Sequence, residues 1–222
     1  MITLKNKNKI AAVIPFFNEK NTINQIIHST LKHVNTVIAI DDGSTDDSDA
    51  NISFNEHITL LRNNTNRGKG FSLRKGLNYA VENGFDELVT LDADLQHNPD
   101  EIPLLISKLS EYHIVIGNRL NNLMGMPLQR KISNKITSNL LSIKTGQKIL
   151  DSQCGFRAYR SEVIKNIKTD EDGYEAESEI LIKSSRLGYK IGFADISTIY
   201  GDEISKMTPV KSTLGFIKLL FN

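Results

Sequence analysis

Five short apolar runs alternate with segments of helical periodicity over the first 120 residues, and this alternation limits the fold more than any other feature. The runs occupy residues 10–15, 36–40, 57–61, 87–91 and 113–116. Between the first two runs, Ile23, Ile26, Ile27 and Thr30 recur at helical spacing. Strands alternating with helices predict an α/β fold: a mostly parallel central sheet with helices on both faces. In such a fold ligands bind outside the carboxyl ends of the strands.

Four polar segments come directly after these runs and therefore share the carboxyl edge of the predicted sheet. They are residues 16–19, 41–47, 92–96 and Arg119. Each segment alone has an ordinary explanation, such as a helix cap or a solvated turn. Four of them at one edge indicate a binding site.

An acidic pair, Asp92 and Asp94, follows the fourth run. In an extended segment alternate side chains share one face, so both carboxylates would point the same way and Gln96 would continue the row. Oxygen ligands of this kind suit Mg²⁺ or Mn²⁺. The pattern predicts a divalent-cation site, and the alternative is a pair of solvated loop aspartates.

Composition excludes several classes of protein. A length of 222 residues suits one α/β domain, and a net charge of +1 gives no indication of a nucleic-acid partner. The one cysteine, Cys154, predicts a buried thiol in a reducing compartment. No apolar run approaches the ~18 residues of a membrane span, and the first residues lack the apolar core of a signal peptide. We expect a cytoplasmic protein, with contact at the inner face of the cell membrane as an additional hypothesis.

The second half of the chain departs from the alternation. Residues 127–145 predict a helix with an isoleucine stripe and the basic residues Arg130, Lys131 and Lys135, which fits a solvated helix and a lipid-facing one equally well. Residues 151–160 are expected to be extended, 174–187 helical and 191–200 a late strand. The tail from residue 208 predicts a short apolar helix.

Motifs for several other chemistries are missing. The sequence contains no P-loop, no dinucleotide-binding GxGxxG after the first strand, no HExxH, no paired CxxC and no GxSxG. Zinc chemistry and serine nucleophiles therefore have no support.

Eight blocks, taken together in order and spacing, resemble the family 2 glycosyltransferases of the GT-A fold. They are VIPFFNE, IAIDDGSTDDS, LDADLQHNP, GNR, QRKISN, QCGFRAYR, GYEAESE and IYGDEISKM. The closest similarity is to the branch of dolichyl-phosphate mannose synthase and the bacterial polyprenyl-phosphate sugar synthases. This resemblance implies transfer of a sugar from a UDP- or GDP-sugar, with inversion at the anomeric carbon and with Mg²⁺ or Mn²⁺ on the diphosphate.

The resemblance also implies roles for individual residues. Asp92, Asp94 and Gln96 would bind the metal, and Asp94, Arg119 and Lys206 would be catalytic, with Lys206 on a mobile loop over residues 201–208. Arg130 would contact the acceptor. The nucleotide-sugar site would comprise Pro15, Phe17, Glu19, Ile40, Asp42, Asp92, Ala93, Arg119 and Lys206. Phe17 stands where many relatives have tyrosine, which leaves stacking as its role.

The acceptor is predicted to be polyprenyl phosphate, with a sugar or protein hydroxyl as the alternative. A hydroxyl needs a base, for which Asp151, Glu175 and Glu177 are candidates, whereas a phosphate with a second pKa near ~6 is already a nucleophile. A sugar-1-phosphate nucleotidyltransferase and a non-catalytic nucleotide-sugar-binding module are less favoured. Within one domain, residues 1–120 would bind the donor, 121–208 the acceptor, and 209–222 would form an amphipathic tail.

Overall fold

A seven-stranded sheet forms the centre of the computed structural model, which describes residues 8–120 and 128–197. The strands are β1 (Ile10–Phe16), β2 (Thr36–Asp41), β3 (Ile58–Arg62), β4 (Glu87–Thr90), β5 (Ile114–Asn118), β6 (Arg157–Arg160) and β7 (Ile191–Asp195). Their spatial order is β3-β2-β1-β4-β6-β5-β7. The predicted mostly parallel sheet is confirmed, since every neighbouring pair is parallel except those that include β6.

Six helices accompany the sheet in the described part of the chain. They are α1 (Ile23–Thr30), α2 (Lys69–Glu82), α3 (Ile102–Lys108), α4 (Leu128–Thr145), α5 (Ser161–Asn166) and α6 (Ala176–Arg186). One group comprises α1 and α3, joined through the 3₁₀ turn Pro99–Glu101, and the other comprises α2, α5 and α6. The two groups cover the two faces of the sheet, as the alternating pattern predicts.

Short-range signals account for where several helices begin and end. The Asn98 side chain accepts a hydrogen bond from the Asp100 amide, and Pro99 occupies the first position of the turn before α3, as expected for a cap. Gly84 has φ 74° directly after α2, a conformation that favours glycine. Gly76 lets α2 approach the sheet, because a Cβ there would lie 2.5 Å from side-chain atoms of Ile40 and Val13.

The antiparallel strand β6 decides what reaches the carboxyl edge of the sheet. Arg157 at its start pairs with Thr90 at the end of β4, so the segment before β6 arrives at the edge where β1, β2, β4 and β5 end. The prediction that residues 151–160 are extended is therefore too broad, because the strand covers only Arg157–Arg160. Residues 151–156 instead form a loop at the predicted site.

Other boundaries also differ from the prediction. Helix α5, with six residues, has too few turns to show a periodic pattern and was not predicted. The late strand ends at Asp195 rather than at residue 200, and residues 198–200 lie outside the described part of the chain.

Candidate active site

The acidic motif after β4 lies in a bent loop and not in an extended segment. β4 ends at Thr90, and Leu95 has φ 60°. The argument that alternation places Asp92 and Asp94 on one strand face is therefore wrong, although both residues do lie at the carboxyl edge. The Asp94 carboxylate accepts a hydrogen bond from the backbone N–H of Gln96 at 3.1 Å, which turns the loop back on itself.

Asp92 is paired with a lysine that sequence reasoning missed. Lys69, the first residue of α2, places its Nζ 2.6 Å from Asp92 Oδ1 and 3.5 Å from Glu177 Oε2. Burial alone would lower the pKa of Lys69, but the two carboxylates raise it above its ordinary value. Burial alone would raise the pKa of Asp92, but Lys69 and His97 lower it. Lysine and aspartate are therefore both ionised at neutral pH.

The other oxygen of Asp92 faces Gly155 in the loop before β6. A Cβ at Gly155 would lie 2.7 Å from Asp92 Oδ2, so glycine leaves the space that this carboxylate occupies. Nearby, Arg157 is fully buried and donates to the carbonyls of Cys154, Ser152 and Glu177 at 2.7–2.9 Å. These hydrogen bonds fix the loop against α6 and hold Gly155 beside Asp92.

Arg119 forms the second cation–anion pair at this edge. Its Nε and Nη2 donate to Asp151 Oδ2 and Oδ1 at 2.8 and 2.9 Å, and its amide donates to Oδ2 at 3.2 Å. Asp151 is completely buried and also accepts from Asn134 at 2.7 Å and from the Gln153 amide at 3.2 Å. Burial would raise the pKa of Asp151, but the hydrogen bonds and charge of Arg119 lower it.

The loops after β1 and β2 each bring one acidic residue, Glu19 and Asp42, that is held by hydrogen bonds. Asp42 is buried and accepts from the Asn63 side chain and from the amides of Arg67 and Gly68 at 2.8–2.9 Å. Asp42 thus fixes the loop that delivers Lys69. The Glu19 carboxylate accepts from the Thr22 hydroxyl at 2.9 Å, at the start of α1.

Comparison with known proteins identifies the family. The profile of Glycosyl transferase family 2 matches residues 11–168. The chain belongs to this family. The glycosyltransferase is 30% identical to the UDP-N-acetylglucosamine–dolichyl-phosphate N-acetylglucosaminyltransferase of Methanococcus voltae, and the alignment covers 93% of this chain and 92% of that protein.

Two further proteins are similar to the glycosyltransferase, one in sequence and one in structure. It is 35% identical, over 74% of its length, to the undecaprenyl-phosphate 4-deoxy-4-formamido-L-arabinose transferase of Proteus mirabilis, and it spans about half (52%) of that protein. Glucosyl-3-phosphoglycerate synthase of Mycobacterium tuberculosis, solved with phosphoglyceric acid, superposes with TM-score 0.75 at 21% identity, covering 96% of this chain and 79% of the synthase. The expected GT-A fold is confirmed.

The glycosyltransferase structure brings most of the predicted residues to one edge. Asp92, Asp94, Gln96, Arg119 and Asp42 lie on loops after β4, β5 and β2, while Pro15, Ile40 and Ala93 are buried behind them. Phe17 and Glu19 follow β1 directly. Their roles toward a nucleotide sugar stay predictions. Lys206, the loop 201–208 and the tail 209–222 lie outside the described residues.

Two of the three candidate bases are not suited to that role. Asp151, one of the three candidates, is completely buried and accepts five hydrogen bonds, so its carboxylate is not available as a base. Glu177 is 7% exposed and lies between Lys69 and Arg157 as a buried ion-pair partner. Glu175, at the N-terminal end of α6, is half-buried and keeps its candidacy.

Lys69 is a site residue that sequence reasoning missed although the carboxyl-edge rule applies to it. Lys69 follows the loop after β3, the one parallel strand of the first half whose carboxyl end was left out of the predicted site. A consistent application of the carboxyl-edge rule to residues 63–70 would have found it. The predicted structural role of Cys154 is confirmed, because the thiol is fully buried and burial raises its pKa to about 12.

His97, which sequence reasoning also missed, should make the stability of the glycosyltransferase depend on pH. His97 is 4% exposed, and burial is the largest cause that lowers its pKa, to about 4. The charges of Arg119 and Lys69 lower this pKa further, whereas the charge of Asp92 raises it. Unfolded histidine titrates near about 6.5, so the unfolded chain binds more protons between these two values. The free energy of unfolding should therefore fall as the pH drops from about 6.5 to about 4, by about 2 kcal/mol at pH 5.

The measurement is chemical denaturation in EDTA at pH 7 and pH 5. His97→Gln should lose most of this pH dependence, while His57→Gln, at an exposed site, should retain it. Equal pH dependence in both variants would show that another group is responsible.

Proposed function

We propose that the protein transfers a sugar, with inversion, from a UDP- or GDP-sugar to polyprenyl phosphate at a membrane surface. The observation that carries the donor half is the pair of cations, Lys69 and Arg119, each held by a carboxylate at the carboxyl edge of the sheet. Positive groups fixed in this way suit a diphosphate leaving group, whose negative charge grows as the sugar bond breaks. Relatives named for nucleotide sugar and polyprenyl phosphate substrates support the same reaction.

The loop after β4 has the donor set that a divalent cation would need. Asp94 and Gln96 offer oxygen atoms, and Asp92 offers a second carboxylate that is already paired with Lys69. Within residues 8–120 and 128–197 no three His, Cys, Asp or Glu side chains converge on one point. A site of few protein oxygens fits Mg²⁺ or Mn²⁺, which completes its shell with water and phosphate. We assign Asp94 as the principal ligand, with Gln96 and Asp92 beside it.

In the reaction each described residue has a distinct task. The bound cation would neutralise charge on the diphosphate. Lys69 keeps Asp92 ionised and in place, and Arg119 presents its guanidinium to the departing phosphates. Lys206, outside the described residues, is proposed to close over the donor. The acceptor oxygen attacks the anomeric carbon from the face opposite the diphosphate, which inverts the configuration.

The acceptor half rests on helix α4. Leu128, Ile132, Ile136, Leu140 and Ile143 are 39–81% exposed along this helix. Its 18 residues include Arg130, Lys131, Lys135 and Lys144 and no acidic residue. An exposed apolar stripe with basic flanks suits the interface of an anionic bilayer. Arg130 lies one turn before Asn134, on the side of α4 that reaches Asp151 and Arg119, and we propose that it binds the acceptor phosphate.

None of the helices in residues 8–120 and 128–197 has the length and apolar character needed to cross a bilayer. A phosphate acceptor also agrees with the chemistry of the site, because it needs no base, and Asp151 and Glu177 are both committed to cations.

Membrane binding through α4 gives a direct prediction. Ile136→Glu should weaken binding to vesicles that contain phosphatidylglycerol by at least about tenfold, since burial of one such side chain contributes about 1.5–3 kcal/mol. Asn166→Glu, at an exposed position of α5, adds the same charge elsewhere and should bind like the parent. Co-sedimentation with vesicles measures this, and equal binding by both variants would remove α4 from the proposal.

The donor is tested with purified protein and a panel of UDP- and GDP-sugars, with Mn²⁺ or EDTA. We expect one nucleotide sugar to bind in a metal-dependent manner by calorimetry. Binding of none of them, or binding equally tight in EDTA, would contradict the proposed donor site.

A further inference from the structure

The inward side of α4 carries buried polar side chains beside Leu141, whereas its outer side carries the exposed apolar stripe. Asn134, Ser138 and Ser142 recur every four residues along the inward side and contact the segment 149–153. Asn134 is 1% exposed and Ser138 is 2% exposed. Buried polar groups of this kind persist when each has partners, and then they fix one arrangement of the elements that they join. Here the joined elements are α4 and the loop that leads to β6.

Asn134 reaches furthest toward the active site. Its Nδ2 donates to Asp151 Oδ1 at 2.7 Å, the shortest of the five hydrogen bonds that this carboxylate receives. Its Oδ1 accepts from the Ser138 hydroxyl at 3.0 Å, which fixes the orientation of the amide. Asp151 in turn holds Arg119 by two parallel hydrogen bonds at 2.8 and 2.9 Å. A continuous chain of contacts thus joins Asn134 to the Arg119 guanidinium.

We infer that Asn134 is a positioning residue that sets the orientation of Arg119 through Asp151. The role of Arg119 on the diphosphate belongs to the proposed function, and the inference rests on it. The terminal torsion of an aspartate is soft, so the plane of the carboxylate follows its donors. A bidentate guanidinium lies in that same plane. Asn134 enters from α4, a separate element, and therefore fixes the plane independently of Arg119 itself.

This arrangement assigns two tasks to one helix. The outer side of α4 carries the surface proposed to meet the membrane, and its inner side holds Asp151. The acceptor-side element and the donor-side guanidinium are therefore connected by two side chains.

The test uses Asn134→Leu, which keeps the branched shape of the side chain and removes its donor and its acceptor, and Asn134→Ser, which is too short to reach Asp151. Asn139→Leu is the matched control, because Asn139 is exposed on the same helix. The first readout needs no substrate: solvent exchange of the Arg119 Nε–H in ¹⁵N NMR spectra, assigned by its loss in Arg119→Lys. We expect the exchange rate of this proton to rise about tenfold in both Asn134 variants, because each loses the hydrogen bond from Asn134 to Asp151 and one such bond contributes about 1 kcal/mol. The rate should stay unchanged in Asn139→Leu.

The second readout is a double-mutant cycle on kcat/KM for sugar transfer. Asn134→Leu should lower kcat more than it raises the KM of the donor, and it should have no further effect in an Arg119→Ala background. Unchanged Arg119 exchange in a folded Asn134→Ser variant, or additive losses in the cycle, would overturn the inference. Absence of transfer by the parent protein would instead contradict the proposed function, and the exchange measurement would still decide the role of Asn134.

Discussion

Asp94→Asn should reduce metal-dependent sugar transfer by at least about 10²-fold, which is the loss typical of removing one charged group from the stabilisation of a leaving group. In the proposed metal site, the substitution removes one of the few protein oxygens that would bind the cation. The fold should persist, because the asparagine Oδ1 can still accept the hydrogen bond from the Gln96 amide that Asp94 accepts at 3.1 Å.

The control for this prediction is Asp100→Asn, which makes the same chemical change at an exposed carboxylate six positions later. Its transfer rate should match that of the parent. Calorimetry should show weaker Mn²⁺ binding for Asp94→Asn alone. Parent-like activity of Asp94→Asn in EDTA would exclude the assignment of the ion to this residue.

Lys69→Met should have two effects of opposite sign. Transfer should fall about 10²-fold, because the site loses a cation that faces the developing charge and the partner that holds Asp92. Binding of Mn²⁺ without nucleotide should become tighter, because the Asp92 carboxylate, 2.6 Å from Nζ in the parent, is no longer neutralised. A merely structural lysine would not improve the affinity for a cation.

The experiment pairs Lys69→Met with Lys165→Met, which removes the same charge from an exposed position of α5. Calorimetry with Mn²⁺, steady-state transfer and thermal unfolding are measured on each. Some loss of stability is expected for Lys69→Met, since Asp92 and Glu177 lose their shared cation. Weaker Mn²⁺ binding by Lys69→Met would show that Lys69 supports the metal site rather than competing for Asp92.

The fold could be predicted from sequence because its signals are local. Periodicity predicted the helices other than α5, and apolar runs predicted strands β1 to β5. The extended character of β6 was predicted, but its antiparallel insertion between β4 and β5 was not, because no local signal specifies where a four-residue strand joins the sheet.

The site was predicted in part, for a related reason. Asp92, Asp94 and Arg119 were found because each directly follows a strand. Their pairing was not predicted. The carboxyl-edge rule could have placed Lys69 at this edge, but Lys69 lies 23 positions from Asp92 and Asp151 lies 32 positions from Arg119, and only the folded sheet shows which side chains meet. The same limit explains why Asp151 was a candidate base: sequence alone does not show that its carboxylate is buried and paired with Arg119.

The proposed reaction moves a sugar from a nucleotide sugar to a lipid phosphate. Its most direct test offers the purified protein, with the donor that it binds and Mn²⁺, two acceptors that differ in one group: polyprenyl phosphate and the corresponding polyprenol. We predict transfer to the phosphate, none to the alcohol, and rates within about tenfold of the parent for Glu175→Gln, since a phosphate nucleophile needs no base. Efficient transfer to polyprenol or to a soluble sugar hydroxyl, with none to the phosphate and with loss on Glu175→Gln, would contradict the account.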